Sequence, residues 1–239
     1  MTEKQELKMQ LLKEFAMSDD PKTVDFCKKA YEFLAEDEII VGFDHANSPD
    51  FSALREIETG VYADGIYLVF ADGSKRLFDG KTPDEAAEGK VTGIGVKRGS
   101  WALVVDLHDQ AEGEDIALTI KNEGTGHYFE TYLDAVADWN GKENTKGLEK
   151  ILNPNICLKD DQWIPSLGEM YFIFLNRKAI NEALEAVGGT AIEGVWFWTS
   201  TERSAAYAWC LGLISGFAGT FTSKASLTFR VRAVSAFIS

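Results

Sequence analysis

The side chains able to do chemistry are few and scattered. His45, His108 and His127 lie far apart, and none stands in a metal spacing such as H-E-x-x-H. The three cysteines, Cys27, Cys157 and Cys210, show no C-x-x-C spacing and cannot all pair with one another, so they read as reduced or buried thiols. No serine sits in a G-x-S-x-G elbow. Gly93, Gly95 and Gly99 fail the spacing of a phosphate loop and follow no strand-to-helix turn, which leaves them as turn and strand glycines. Asp106, Asp109, Glu112, Glu114 and Asp115 form a charge-rich stretch that reads first as solvated surface and only second as a calcium site. These residues point away from catalysis and from any bound metal or cofactor.

What could bind is concentrated at the end of the chain. Val195 to Ser239 opens on Trp196-Phe197-Trp198 and closes on the alternating run Arg230-Val231-Arg232-Ala233-Val234, with small and aromatic residues between. No acidic residue follows Glu202, so this end is weakly basic on a chain of net charge −14. Disordered tails are poor in aromatics and rich in charge, so this one is expected to be packed, displayed, or both. The acidic balance also argues against a nucleic-acid partner, whose phosphates must be neutralised by Lys and Arg.

The elements that must position this segment are legible upstream. The 239 residues, 45% of them hydrophobic, suffice for one large or two small domains. Glu6–Met17 carries Leu7, Leu11, Phe15 and Met17 at roughly helical spacing. Asp19-Asp20-Pro21 opens a second helix with the stripe Val24, Cys27, Tyr31 and Leu34. Residues 1–45 are therefore expected to form a helical segment, a cap on the main domain or an oligomerisation element, bounded by Asp44–Pro49. The first fifteen residues lack the apolar core of a secretory signal, and no run approaches membrane-spanning length. The chain is expected to be cytoplasmic as synthesised, with no membrane insertion.

From Gly60 the period becomes two. Gly65–Phe70 and Lys75–Phe78 flank Asp72-Gly73 as a hairpin, Val91–Val96 and Trp101–Leu107 flank Lys97–Ser100 as another, and Ile116–Ile120 reads as a short strand. A helix is expected over Tyr128–Trp139, stopped by Gly141, with a short one around Thr145–Leu152. Ser166 and Glu169 make a capping box for a helix carrying Leu167, Met170, Tyr171 and Phe174. Asn176-Arg177-Lys178 interrupts its stripe, Ile180, Ala183, Leu184 and Val187 restart it, and Gly188-Gly189 ends it. Strands, helices, then strands again spell an α+β fold with an antiparallel sheet and two main helices, spanning 50–239.

Trp163–Glu169, Ala179-Ile180-Asn181, Leu184–Thr190, Trp196–Glu202, Ala208-Trp209, Gly216, Lys224 and Arg230–Val234 stand in an order that resembles the C-terminal C-type-lectin-fold domain of gut Bacteroidales and phage proteins, and more narrowly the variable proteins of diversity-generating retroelements. The similarity is strong over Tyr128–Phe237, weaker over Gly60–Asp109 and absent before Asp44. In that family a reverse transcriptase writes an adenine-mutagenised copy of a template into the 3′ end of the gene, and the lectin-type fold displays the resulting residues to a ligand. A randomised AAC-type codon cannot encode Lys, Glu, Gln, Met or Trp. Between Arg203 and Phe229 the chain holds none of these except Trp209 and Lys224, both at positions the family keeps fixed.

The resemblance implies a variable region 203–229 displaying Ala205, Ala206, Tyr207, Cys210, Gly212, Phe217, Gly219, Phe221, Ala225, Ser226, Leu227, Thr228 and Phe229 to a protein or glycan ligand, such as a bacterial surface molecule. It implies a frame of Trp198, Trp209, Gly216, Lys224, Arg230 and Arg232. Tyr207, Phe217, Phe221 and Phe229 would anchor binding, since aromatics dominate hot spots. Trp196, Trp198 and Trp209 are expected in the core, and Arg230 and Arg232 are expected to pair with acids such as Glu169 or Glu202. A phage virion or prophage origin fits the absent signal better than a secreted lipoprotein, and relatives of this kind often form homo-oligomers. The competing class is an enzyme related to the formylglycine-generating family, which shares the lectin-type fold. Its paired active-site cysteines have no counterpart around Cys210. A plain carbohydrate-binding module lacks the E-P-N and W-N-D motifs of animal lectins, which Asp138-Trp139-Asn140 only scrambles.

Overall fold

The computed structural model describes residues 62–81, 90–193, 196–221, 223–226 and 228–237. The segment 1–45 expected to be helical, its expected boundary at Asp44–Pro49, His45 and Cys27 lie outside the described residues. The rest is a mixed helix and antiparallel-sheet fold. Strands β1 (Gly65–Phe70), β2 (Lys75–Leu77), β3 (Val91–Arg98), β4 (Trp101–Asp109), β5 (Gln162–Trp163) and β9 (Arg232–Ala236) form a six-stranded sheet in the order β2-β1-β3-β4-β9-β5. Every pairing is antiparallel. Strands β6 (Phe197–Glu202), β7 (Ala208–Leu211) and β8 (Ala218–Gly219) form a second, antiparallel sheet.

Both expected hairpins form. At the first turn Gly73 takes φ +83°, and Asp72 Oδ1 accepts from the Ser74 amide at 2.9 Å, which closes the reversal locally. The second turn is tighter than the expected four residues. Arg98 pairs with Trp101, leaving only Gly99 (φ +57°) and Ser100 between the strands. Alternation then sorts the side chains: Ile66, Leu68, Ile94, Val96, Leu103 and Val105 join the main core, while Tyr67, Val69, Ala102, Val104 and Phe237 cluster together apart from it.

Helix α3 (Leu167–Ala186) fills the main core, and its start is the predicted capping box. The Ser166 side chain accepts from the Glu169 amide, and Glu169 Oε2 accepts from the Ser166 amide at 2.8 Å. Asn176-Arg177-Lys178 does not break this helix. Asn176 Nδ2 donates to the Phe172 carbonyl at 2.9 Å, and the Arg177 guanidinium lies 4.3 Å from the centre of the Phe174 ring. The polar triplet is one outward turn of a continuous helix.

Three expectations are corrected. The helix expected over Tyr128–Trp139 is only α1 (Tyr132–Val136), because Thr131 caps it and the chain before it is held extended. There the Phe129 amide donates to the Glu202 carbonyl at 2.8 Å, and the Phe129 carbonyl accepts from Trp209 Nε1 at 2.9 Å. Gly141 starts α2 (Gly141–Leu148) instead of ending a helix. It is glycine because a Cβ would collide with the Glu169 carboxylate. Ile116–Ile120 makes only isolated bridges, Ile116 to Phe229 and Thr119 to Leu152.

The small sheet lies between two cores. Phe197, Trp209, Leu211 and Ala218 pack into the main core with α3. Trp198, Ala208 and Cys210 join a second cluster with Ile116, Leu118, Ile164 and Val231. Both faces of β6 and β7 are therefore covered, and what this sheet can present to solvent is its loops.

Candidate ligand-binding surface

The surface is built on a frame of buried polar anchors. Trp198 and Trp209 are buried, with Trp198 Nε1 donating to the Ile116 carbonyl at 2.9 Å. Lys224 is fully buried, and its ammonium meets Glu202 Oε1. Glu202 Oε2 accepts from both the amide and the hydroxyl of Thr125, each at 2.8 Å. Burial pushes the Lys224 ammonium down to about 8, and the Glu202 carboxylate supplies its counter-charge. Around this ion pair the Lys224 amide donates to the Ala206 carbonyl at 2.9 Å, which fixes the 203–207 turn to the 223–226 turn.

The arginines of the last strand find partners other than those expected. Arg232 Nε donates to Asp109 Oδ1 at 2.5 Å, and its two terminal nitrogens donate to the Asp106 and Thr190 carbonyls at 2.7 and 2.9 Å. Arg230 meets Asp115 at 2.9 Å and Asp109 at 3.4 Å. Glu169 instead belongs to the helix cap and to Trp163 Nε1, while Glu202 belongs to Lys224. The correction has a geometric cause: β9 pairs with β4, and Asp109 lies directly opposite Arg232 in that register. The same pairing explains the acidic stretch, whose Asp106, Asp109 and Asp115 are engaged by Gln162, Lys159 and the two arginines. Among the described residues no group of three or more His, Cys, Asp or Glu could hold a metal ion.

Four apolar side chains stand out on the loops of this frame. Tyr207 is 39% exposed, Ile214 70%, Phe217 38% and Phe221 51%. Trp196 packs against two of them, Phe217 and Phe221. Its ring lies 4.5 Å from Phe221, 6.1 Å from Phe217 and 6.0 Å from Phe229, and Phe217 and Phe221 are 6.1 Å apart. The Trp196 contacts with Phe217 and Phe221 are edge-on and the other two are tilted, arrangements that hold rings without hiding them. Trp196 is half-buried, so the expectation of a core position holds for Trp198 and Trp209 only. The Phe217 loop is fastened by Gly216, which takes φ +72° and whose carbonyl accepts from the Tyr171 hydroxyl at 2.8 Å.

Of the other positions expected on display, Ser226 and Thr228 are exposed, and Ala205, Ala206, Ala225 and Phe229 are half-buried. Leu227 lies outside the described residues. Cys210, Gly212 and Gly219 are corrected: all three are buried. Cys210 points from β7 into the second core cluster, where its thiol donates to the Gly219 carbonyl at 3.1 Å and burial pushes it up to about 12. Gly219 pairs with Cys210, and a Cβ there would strike the Phe221 ring. Gly212 closes the Phe217 turn, its amide donating to the Phe217 carbonyl at 2.8 Å.

Two members of the surface escape sequence reasoning. Ile214 sits between Gly212 and Gly216, and that glycine spacing was the available signal for an exposed turn. Tyr128, 37% exposed, was hidden by its placement on a helix that does not extend so far.

No family model matches the chain, and no curated protein matches its sequence. A crystal structure of a fimbrial protein from Bacteroides ovatus ATCC 8483 matches the fold, with a TM-score of 0.52 and 17% identity. The match covers 73% of this chain and 49% of that one, so the likeness takes in about half of the Bacteroides protein's length. It establishes a shared α+β fold. Among the described residues no helix is long and apolar enough to cross a membrane.

Proposed function

We propose that this chain is a ligand-binding protein whose C-terminal loops grip a macromolecule, on a C-type-lectin-like scaffold of the kind that retroelements diversify. The observation carrying the reading is the group Tyr207, Ile214, Phe217 and Phe221, exposed on loops that are pinned by buried polar anchors. Large apolar side chains clustered on a surface mark interaction sites, and rigid aromatics bind at small entropic cost. Preorganised loops lose little freedom on binding.

The division between buried and displayed residues supports the diversified form of the reading. Trp209 and Lys224, which a randomised AAC-type codon cannot supply, are buried parts of the frame. Among the described residues, the burial of Cys210, Gly212 and Gly219 narrows the contacting set to Ala205–Tyr207, Phe217, Phe221, Ala225, Ser226, Thr228 and Phe229. The word fimbrial belongs to the Bacteroides protein; a role in surface attachment is compatible with display by this chain, as is a phage virion. The competing cysteine-enzyme reading gains no support from Cys210, because a cysteine nucleophile must ionise and this thiol is buried and pushed up to about 12.

The test is the DNA beside the gene. A near-copy of its 3′ end, differing at adenines and adjacent to a reverse-transcriptase gene, is expected. A unique 3′ end with no such neighbour would remove diversification and leave an undiversified binding domain.

A further inference from the structure

We propose that the binding surface is composite. The segment Asn122–Tyr128, outside the C-terminal region, forms a fixed wall beside the displayed loops, and together with Arg203 it selects a protein partner presenting a carboxylate next to apolar side chains. The proposal rests on the ligand-binding reading above.

The wall is stitched to the displayed loops along its length. Asn122 Oδ1 accepts from the Ser223 hydroxyl at 2.6 Å. Thr125 donates its amide and hydroxyl to Glu202, the partner of Lys224, whose own amide holds Ala206. Between these points the contact is close. A Cβ on Gly124 would lie 2.7 Å from the Tyr128 hydroxyl and 2.9 Å from the Ala205 Cα, so the tyrosine tip and the variable turn meet over this one glycine. Tyr128 is exposed there, and Tyr207 closes the adjoining turn by accepting from the Arg203 amide at 2.9 Å.

Charge gives the partner its chemistry. No Asp or Glu follows Glu202 in the sequence, although the chain as a whole carries −14. Lys224 and Arg232 are buried in ion pairs, and Arg230 faces Asp109 and Asp115. Arg203 is exposed, its guanidinium reaches the Thr220 hydroxyl at 3.4 Å, and among the described residues no carboxylate pairs with it. An exposed guanidinium on the turn that carries Tyr207, and that Tyr128 adjoins at Ala205, supplies what protein interfaces use to seat a carboxylate beside apolar groups.

The experiment is an NMR titration of the isotope-labelled full chain with N-acetyl-Trp-Asp-amide, N-acetyl-Trp-Lys-amide and N-acetylglucosamine. The aspartyl peptide is expected to shift the amides of Gly124 and Tyr128 together with that of Tyr207. It is expected to bind about threefold more tightly than the lysyl peptide, as one exposed charge contact allows, with the difference erased in Arg203→Ala. Shifts at Phe217 and Phe221 with Gly124 and Tyr128 unmoved would overturn the fixed wall and leave the binding reading standing. Preference for the sugar, or equal binding of the two peptides, would overturn the choice of partner. No response to any probe would overturn both this proposal and the reading it rests on.

Discussion

Lys224 and Glu202 form an ion pair to which water has no access, and each end of it holds a different loop. Thr125 is tied to the Glu202 carboxylate, and Ala206 accepts from the Lys224 backbone. Removing one partner leaves a bare charge in the interior, which costs about 3–5 kcal/mol. Lys224→Met is therefore expected to lower unfolding free energy by about that amount in a denaturant titration. Leu103→Ala in the main sheet should be comparably costly, about 2–5 kcal/mol, but should leave exchange protection at Thr125 intact. Lys224→Met should release the Thr125 amide first, seen by hydrogen exchange.

Stability should depend on pH through Glu169. Burial raises its carboxyl to about 8 from an ordinary value of 4.5. The folded chain thus keeps a proton that the unfolded chain releases between those values. The contribution is complete below about pH 4.5, falls as pH rises and is lost by about pH 8. Thermal melts across this range should show wild type losing on the order of a few kcal/mol that Glu169→Gln does not lose. Identical pH profiles for the two proteins would contradict the assignment.

Thiol reactivity should divide the cysteines. Cys157 is exposed, whereas Cys210 is buried with its thiol pushed up to about 12. In a Cys27→Ser background, the native protein is expected to react with an aromatic disulfide reagent rapidly at Cys157 and negligibly at Cys210, with both reacting in denaturant. Fast labelling of native Cys210 would reopen the cysteine-enzyme alternative.

Much of this fold could be read from local chemistry. The Asp72-Gly73 turn, the alternation of Ile66, Leu68, Ile94 and Val96, and the Ser166–Glu169 box each act within a few residues, so pattern alone sufficed for them. The failures are tertiary. Tyr128–Glu130 has helical spacing, but Phe129 is captured by Glu202 and Trp209 from the distant sheet. Gly141 signals a helix end, yet it exists to admit the Glu169 carboxylate. Asp109 could be matched to Arg232 only once β4 and β9 were known to be neighbours. Within the binding segment, Tyr207, Phe217 and Phe221 were legible as loop aromatics. Cys210 and Gly219 were not, because a strand covered on both faces gives no alternation to reveal which side is wet.

The central claim is that the loop aromatics are for gripping a ligand and the tryptophans beneath are for holding the fold. The direct measurement compares wild type with Tyr207→Ala/Phe217→Ala/Phe221→Ala over an array of bacterial surface proteins and glycans, alongside the melting temperature of each. The account predicts a ligand that wild type binds and the triple variant loses by about a hundredfold or more, as hot-spot removal allows, with melting temperature little changed. A triple variant that binds the same ligand equally well, or that unfolds as a core truncation would, contradicts it.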